Sequence, residues 1–205
     1  MRNRRVIPFG VDLGAFHPDR RYAVRRPASP ARVLLVGRLT RDHRPRLAAQ
    51  AIAELRWRGV DAELLAIGDG PEHGDLTGAA TGLRLLGHVA DRAHLAALLA
   101  DADVVISTAT RAGAGLAALE ALASGTPLVA VDDGPAGELI VPGVGTTRRA
   151  DPGALADGLA AVLRGDRHAQ RRVARLRAEQ FTWAGAAAAH LDAYAELVAA
   201  RPSAA

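Results

Sequence analysis

The chain has 205 residues, of which 49% are apolar and 23% charged, a composition typical of a globular rather than a disordered protein. It has no cysteine, which excludes disulfides and thiolate metal sites, and its histidines show no metal-binding spacing. All 26 basic residues are arginine, and the net charge of +4 is compatible with an anionic ligand or surface but equally with an arginine-biased genome. No apolar stretch is long enough to predict a membrane span or a signal peptide. We therefore expect a cytoplasmic protein that reaches a membrane only through a partner.

The predicted elements alternate between strands and helices along the chain. Residues 1–30, with four prolines, predict a linker or lead-in segment, in which VIPFGVDLGAFHP has enough apolar residues to pack against another part of the protein. Short apolar runs predict strands at 33–36, 62–67, 83–86, 104–106 and 128–131, and residues 144–147 are a candidate sixth strand at the edge of the sheet. Apolar stripes of helical period predict helices at 45–59, 72–80, 91–99, 116–124, 151–164, 167–180 and 183–200.

This alternation predicts an α/β fold, a doubly wound parallel sheet of the Rossmann type with helices on both faces. The predicted organisation is a linker at 1–30, a Rossmann-like domain at 31–182 and a C-terminal helix at 183–205. Ligands of such sheets bind beyond the carboxyl ends of the strands. The candidate site is therefore in the loops that follow the strands.

One of these loops is rich in glycine. Gly113 and Gly115 follow the predicted strand 104–106 and precede the helix 116–124. A glycine turn that opens a helix presents free backbone N–H groups and the positive end of the helix dipole. The pattern therefore predicts a phosphate-binding loop.

A dinucleotide site is one interpretation of this loop. Residues 113–118 fit the pattern G-x-G-x-x-A, and Asp132 and Asp133 follow about 20 residues later, where a ribose-binding acid is expected. The chain would then be an NAD-binding oxidoreductase domain. Against this, residues 107–112 separate the glycines from the strand, and the motif follows the fourth strand rather than the first.

A second interpretation comes from seven segments that occur in a fixed order between Val6 and about Leu197. They are VIPFGVDLGAFHP, VGRLTRDHRP, AIGDGPE, LRLLGHV, LAALLADADVVIST, GAGLAALEALASGTPLVAVDDGPAGELI and FTWAGAAAAHLDAYAEL. Together they resemble the C-terminal, nucleotide-sugar-binding domain of retaining GT-B glycosyltransferases of the group 1 type. The resemblance implies hexosyl transfer from a UDP- or GDP-linked sugar, with no other cofactor and no metal. It also implies an N-terminal acceptor-binding domain or a separate subunit as partner.

The same resemblance assigns roles to individual residues. Arg38 would bind the diphosphate, backbone N–H groups of 114–116 would hold phosphate oxygens, and Glu120 would accept the ribose hydroxyls. The implied catalytic residues are Arg38 and His43. The implied donor-binding residues are Gly37, Arg38, Leu86, Gly87, Ala112, Gly113, Ala114, Gly115, Leu116 and Glu120. A plain surface arginine and a solvated helical face are the alternatives for Arg38 and Glu120.

The sequence departs from the family pattern at three positions. Ala112 replaces the first glutamate of a Glu-x7-Glu motif, and His43 and Arg44 replace a lysine and a glycine. His43 or Arg44 would then supply the lysine's positive charge, although a histidine is only partly protonated near neutral pH. A degenerate, non-catalytic nucleotide-binding domain is therefore a further alternative.

Two predictions concern the surface of the protein. The arginines at 171, 172, 175 and 177 lie on one predicted helix and are interpreted as a solvated face, not as a nucleic-acid site. The apolar residues of VIPFGVDL and of the last helix are expected to be partly exposed, where the acceptor-binding partner would cover them.

Overall fold

The computed structural model describes residues 6–22, 29–77, 81–110 and 115–199. Its strands are β1 Ala31–Val36, β2 Ala62–Ile67, β3 Leu83–Gly87, β4 Val104–Ser107, β5 Leu128–Val131 and β6 Gly145–Arg148. Its helices are α1 Pro45–Trp57, α2 His73–Leu76, α3 Arg92–Asp101, α4 Leu116–Ala123, α5 Pro152–Arg164, α6 Arg167–Ala178 and α7 Trp183–Ala199. Short 3₁₀ turns occupy Pro18–Arg20 and Pro135–Leu139.

The strands form one parallel sheet in the order β3-β2-β1-β4-β5-β6. This order confirms the predicted doubly wound fold. The chain runs outward from β1 to β3 and returns to β4 on the other side of β1. The crevice at the carboxyl ends of β1 and β4 is therefore the switch point at which such sheets bind ligands.

Strands β4 and β5, in the middle of the sheet, are buried on both faces, which explains why they are almost entirely apolar. The edge strands β3 and β6 are partly exposed and less apolar. One face packs against α1 and α5, and the other packs against α3, α4 and α6. Core residues of the first layer include Val33, Leu35, Ile52, Leu55 and Leu159. Core residues of the second include Leu34, Leu99, Val105, Leu119, Leu122 and Ala174.

Helix α2 is shorter than predicted. The sequence predicts a helix at 72–80, whereas the structure has one turn, His73–Leu76, and residues 78–80 lie outside the described part. Leu76 is the buried residue of this turn. A single apolar anchor and a glycine at position 74 offer little to stabilise a longer helix.

The lead-in segment packs against the end of the chain. Val11 and Phe16 are buried in the core, and the Val11 N–H donates to the Phe181 carbonyl at 2.9 Å. A Cβ atom placed on Gly10 would lie 2.3 Å from the Trp183 backbone nitrogen, so the two segments are in close contact there. Residues 6–22 are therefore packed as part of the folded unit.

The arginines of α6 differ from the prediction of a solvated face. Arg171 donates to the carbonyls of Ala100 and Ala102, at the end of α3, and Arg177 donates to those of Leu139 and Glu138. Burial lowers the pKa of Arg171 to about 10. Carbonyls at the ends of helices have no partner within the helix, and a guanidinium can satisfy several of them at once. These side chains therefore fasten α6 to its neighbours.

Arg175 is the most connected of these arginines. Its Nη1 donates to the carbonyls of Leu13 and Phe16, in the lead-in segment, and to that of Ala123, at the end of α4, at 2.9–3.2 Å. The Arg175 side chain is largely buried, whereas Arg172 on the same helix is exposed. A single side chain thus joins α6, α4 and the lead-in segment.

We expect Arg175→Ala to lower the free energy of unfolding by about 2 kcal/mol or more, because three carbonyls lose a charged donor. Arg172→Ala is the matched control and should change it by less than about 0.5 kcal/mol. Urea denaturation followed by circular dichroism measures both. Equal midpoints for the two variants would contradict this role of Arg175.

Much of the exposed apolar surface lies in the predicted segments, although Val11 is buried and Trp57 and Tyr22 are exposed elsewhere. None of the described residues of α7 is buried, and Leu191, Tyr194, Leu197 and Val198 are mostly exposed. Phe9 meets Trp183 edge to face, with ring centroids 6.5 Å apart, and both are about half exposed. In the ranges that the structure describes, no helix is long and apolar enough to cross a bilayer.

Candidate functional site

The loop after β1 is held against the loop after β2 by backbone contacts. The Gly37 N–H donates to the Ile67 carbonyl at 3.0 Å, and the Leu39 N–H donates to the Asp69 carbonyl at 2.9 Å. Gly68 has a φ of +133°, and a Cβ atom there would lie 1.9 Å from the Gly37 carbonyl oxygen. The loops therefore fit together only because position 68 has no side chain.

Arg38 stands at the exposed edge of this loop. Its side chain is 69% exposed, and its Nη2 lies 3.7 Å from an Asp42 carboxylate oxygen. An exposed ion pair of that length contributes little to stability. The guanidinium can therefore turn from Asp42 to a ligand at small cost.

His43 is partly buried behind Arg38. Its Nε2 is buried and has no hydrogen-bond partner among the described residues, while Thr108 donates to its backbone carbonyl at 2.7 Å. Burial lowers the pKa of His43, the charge of Arg38 lowers it further, and Asp42 opposes both. The imidazole is therefore mostly neutral at neutral pH and supplies little of the fixed charge of the lysine it replaces.

The Arg44 side chain forms hydrogen bonds within the protein. Its Nε donates to the Thr108 carbonyl at 2.7 Å, and its two terminal nitrogens donate to the Asp133 carboxylate at 2.7 and 3.2 Å. This hydrogen bond is the main reason that the pKa of Asp133 is lowered. The expectation that Arg44 supplies charge to a ligand therefore needs revision, because the guanidinium joins the ends of β1, β4 and β5.

The backbone of Arg44 has a conformation that glycine, the residue implied here by the resemblance, adopts readily. Its φ of 48° and ψ of 52° are left-handed, a conformation that costs a residue with a side chain about 1 kcal/mol. The contacts with Thr108 and Asp133 offset that cost. No local sequence pattern indicates the Asp133 partner, which is 89 residues away.

Glu120 lies on α4 and is 5% exposed, which excludes the solvated helical face. Burial raises the pKa of its carboxyl group, and the positive charge of Arg92 opposes the rise. An Arg92 terminal nitrogen lies 3.5 Å from Glu120 Oε1. The sequence prediction did not include Arg92.

The beginning of α4 is the described part of the glycine loop. Gly115 is its N-cap residue, with a left-handed φ of 58°, and Leu116 is the first helical residue and partly exposed. Their N–H groups are at the positive end of the helix dipole. The other predicted residues of this loop, Ala112, Gly113 and Ala114, lie outside the described part of the chain.

The predicted base-binding residues are at the end of β3. The Gly87 carbonyl accepts the N–H of Gly68 at 2.8 Å, and Gly87 has a φ of +69°. Leu86 is half-buried and packs against the core. The topology thus brings Leu86 and Gly87 to the same edge of the sheet as Arg38.

Two cavities flank the sheet at opposite ends. One, of about 590 Å³, lies at the carboxyl ends of β4, β5 and β6 and is lined by Thr110, Asp132, Asp133, Gly134, Pro135, Gly137, Glu138 and Thr147. The other, of about 560 Å³, lies at the amino ends of the strands, beside Ala31, Asp61 and Asp103. Position favours the first, because it lies at the carboxyl ends of the strands, where such sheets bind ligands.

Comparison with known proteins identifies the family. Residues 30–165 match the family described as glycosyl transferases, group 1. The matched segment is more than half of the chain. The chain belongs to the group 1 glycosyl transferases. This assignment confirms the resemblance and leaves the oxidoreductase interpretation of the glycine loop without support.

Individual relatives of this glycosyl transferase chain are consistent with the family assignment. It is 42% identical over 196 residues to the GDP-mannose-dependent alpha-(1-6)-phosphatidylinositol dimannoside mannosyltransferase of Mycobacterium tuberculosis, covering 92% of the chain and 51% of that protein. It is 34% identical to the glycogen synthase of the same organism, covering 92% of the chain and 47% of that enzyme. The chain therefore spans about half the length of these relatives.

A solved structure shows the same fold. The sucrose-phosphate synthase of Thermosynechococcus elongatus superposes with a TM-score of 0.78 at 27% sequence identity. The match covers 96% of this chain and 53% of that protein. The six-stranded sheet of the glycosyl transferase chain thus corresponds to about half of a larger structure.

Proposed function

We propose that this chain is the donor-binding part of a retaining glycosyltransferase and binds a nucleotide diphosphate-sugar at the carboxyl end of its sheet. The observation that carries the proposal is the placement of Arg38 and the start of α4 on either side of the switch point. An exposed arginine and a helix N-terminus that face one crevice suit a diphosphate.

Each residue of the candidate site would bind a different part of the donor. Arg38 would donate two parallel hydrogen bonds to the diphosphate, and the N–H groups of Gly115 and Leu116 would bind its other oxygens. Glu120 would accept the ribose hydroxyls, and Leu86 and Gly87 would border the base. As the glycosidic bond breaks, negative charge grows on the leaving diphosphate, and Arg38 would stabilise it.

The proposed donor is GDP-linked, with a UDP-linked sugar as the second choice. The mycobacterial relative at 42% identity is GDP-mannose-dependent. The proposal needs no cofactor besides the donor. The cavity beside Thr110, Asp132 and Glu138 is the proposed place for the transferred sugar, because it adjoins the phosphate end of the site.

The acceptor is proposed to bind to a second domain or subunit. The chain spans about half of its relatives, and the exposed apolar residues of α7, with Phe9 and Trp183, form a surface that such a partner would cover. The same relative is named for a phosphatidylinositol dimannoside. We therefore propose a glycolipid acceptor, which would bring the assembled enzyme to a membrane surface.

Isothermal titration calorimetry of the 205-residue chain with GDP, UDP and NAD tests the proposal. Micromolar binding of GDP or UDP without binding of NAD supports it, and binding of NAD alone contradicts it. Transfer is then assayed with and without the acceptor-binding half. Nucleotide binding without transfer in the assembled protein would favour the non-catalytic alternative, which the neutral His43 also favours.

The affinity for GDP is expected to rise as the pH falls. His43 is mostly neutral in the free protein because burial lowers its pKa, and a bound diphosphate would raise that pKa. Protonation and binding therefore favour each other, and a one-unit rise in the pKa on binding strengthens binding up to about tenfold. The affinity for GDP should begin to rise once the pH falls to the pKa that His43 has in the complex. It should level off near the lower pKa that His43 has in the free protein.

Calorimetry between about pH 8 and pH 6 measures this effect. His43→Gln is the control, since the phosphate groups of GDP titrate in both proteins and cancel in the comparison. His43→Lys should bind more tightly than the unaltered chain at pH 8 and show no additional gain at low pH. Parallel pH profiles for the unaltered chain and His43→Gln would contradict a role of His43 at the diphosphate.

A further inference from the structure

The Glu120 carboxylate depends on one neighbouring cation. It is buried, and within the described residues the Arg92 guanidinium, 3.5 Å away, is the polar group that it contacts. Burial disfavours the ionised form, so the pKa of Glu120 is raised, and Arg92 acts against this shift. Without the arginine, more of the carboxyl group would be protonated.

Two residues of the lead-in segment lie near Arg92. Its guanidinium carbon lies 4.9 Å from the centre of the Phe16 ring, which is fully buried. Such stacking fixes the plane of a guanidinium. Asp12 adds a negative charge nearby, and its carboxylate is fixed by N–H groups of Gly14 and Ala15 at 3.0 and 2.9 Å.

We infer that Arg92 is a positioning residue for nucleotide binding, which keeps the Glu120 carboxylate ionised and oriented to accept the ribose hydroxyls. The inference rests on the proposed function of Glu120. An ionised acceptor forms hydrogen bonds about twice as strong as a neutral one, so the state of this carboxyl group sets the strength of the ribose contact. Arg92 acts through Glu120 and does not contact the nucleotide.

The lead-in segment gains a role from this arrangement. Phe16 precedes the sheet, yet its ring contacts the guanidinium of Arg92, and Arg92 in turn lies beside the Glu120 carboxylate on α4. Residues 6–22 therefore contribute to the nucleotide site through two successive contacts.

The test compares GDP with its 2′,3′-dideoxy analogue, which lacks the ribose hydroxyls. The ratio of the two dissociation constants, measured by calorimetry on the whole chain, is the ribose preference. Arg92→Ala should reduce this preference about fivefold, the difference between a charged and a neutral acceptor, and leave affinity for the dideoxy analogue unchanged. Arg92→Lys should restore most of the preference, because it restores the charge.

Two further variants make the test specific. Arg92→Ala combined with Glu120→Ala should lose no more ribose preference than Glu120→Ala alone, since both changes remove one interaction. Arg84→Ala is the matched control, because Arg84 is similarly exposed, 64% against 60%, and pairs with Glu63 away from the crevice. It should leave the preference unchanged.

Three results would overturn the inference: a full ribose preference in Arg92→Ala, an equal loss of affinity for both nucleotides, or losses that add in the double variant. The second result would assign Arg92 to the phosphates or to general stability. If the unaltered chain bound neither GDP nor UDP, the proposed function itself would be contradicted, and the inference with it. These outcomes are distinguishable, because the last does not depend on any variant.

Discussion

Arg38→Ala is expected to weaken binding of GDP to the chain about 10- to 100-fold. A hydrogen bond between a charged donor and a charged acceptor contributes about 1.5–3 kcal/mol, and Arg38 would form two with the diphosphate. The fold should be unaffected, because the Arg38 side chain is exposed and its pair with Asp42 is long. Calorimetric titration with GDP measures the change.

Two variants make the result specific to the diphosphate. Arg46→Ala removes one positive charge from α1, where Arg46 pairs with Asp75, and should change affinity less than about twofold at physiological salt. Arg38→Lys keeps the charge but loses the bidentate geometry and should recover part of the affinity. Equal losses in Arg38→Ala and Arg46→Ala would indicate general electrostatics, and no loss in either would remove Arg38 from the site.

Gly68→Ala is expected to destabilise the protein by at least about 3 kcal/mol. The added Cβ atom would lie 1.9 Å from the Gly37 carbonyl oxygen, and the φ of +133° is unfavourable for any residue with a side chain. The loops after β1 and β2 would have to separate, and Arg38 would move with the first of them. Urea denaturation measures the loss of stability.

Alanine variants of two other glycines separate the effect of backbone strain on stability from the effect of the steric clash. Gly59→Ala meets no atom within 4 Å but has a φ of +85°, so it tests backbone strain alone and should cost about 1 kcal/mol. Gly74→Ala, in α2, meets no atom and has no positive φ, so it should be neutral or stabilise by about 0.5 kcal/mol. If Gly68→Ala were no worse than Gly59→Ala, the close approach of the two loops would be disproved.

The fold was predictable because its signals are local. Five apolar runs and a less apolar sixth segment, separated by helical stripes, indicate a parallel sheet, and the structure has those strands within a residue or two. The shortened α2 is the exception, since a weak stripe with one buried residue does not fix a helix end. Short-range periodicity thus determined the architecture.

The candidate site residues came from the resemblance to the family. It proposed Arg38 and Glu120, and the structure has the first exposed in the loop after β1 and the second buried on α4. Their roles in binding remain predictions for the titrations above. The burial that makes His43 mostly neutral is not visible in the sequence, because it depends on how the loop after β1 packs.

The sequence by itself determined the family, the order of strands and helices, and several glycine turns at the ends of strands. Tertiary structure alone decided how the charges are paired. Arg44 binds Asp133, Arg92 faces Glu120, and the arginines of α6 cap helices they were not expected to touch. These partners are far apart in the chain, so no local pattern records them, and folding alone brings each guanidinium to its acceptor.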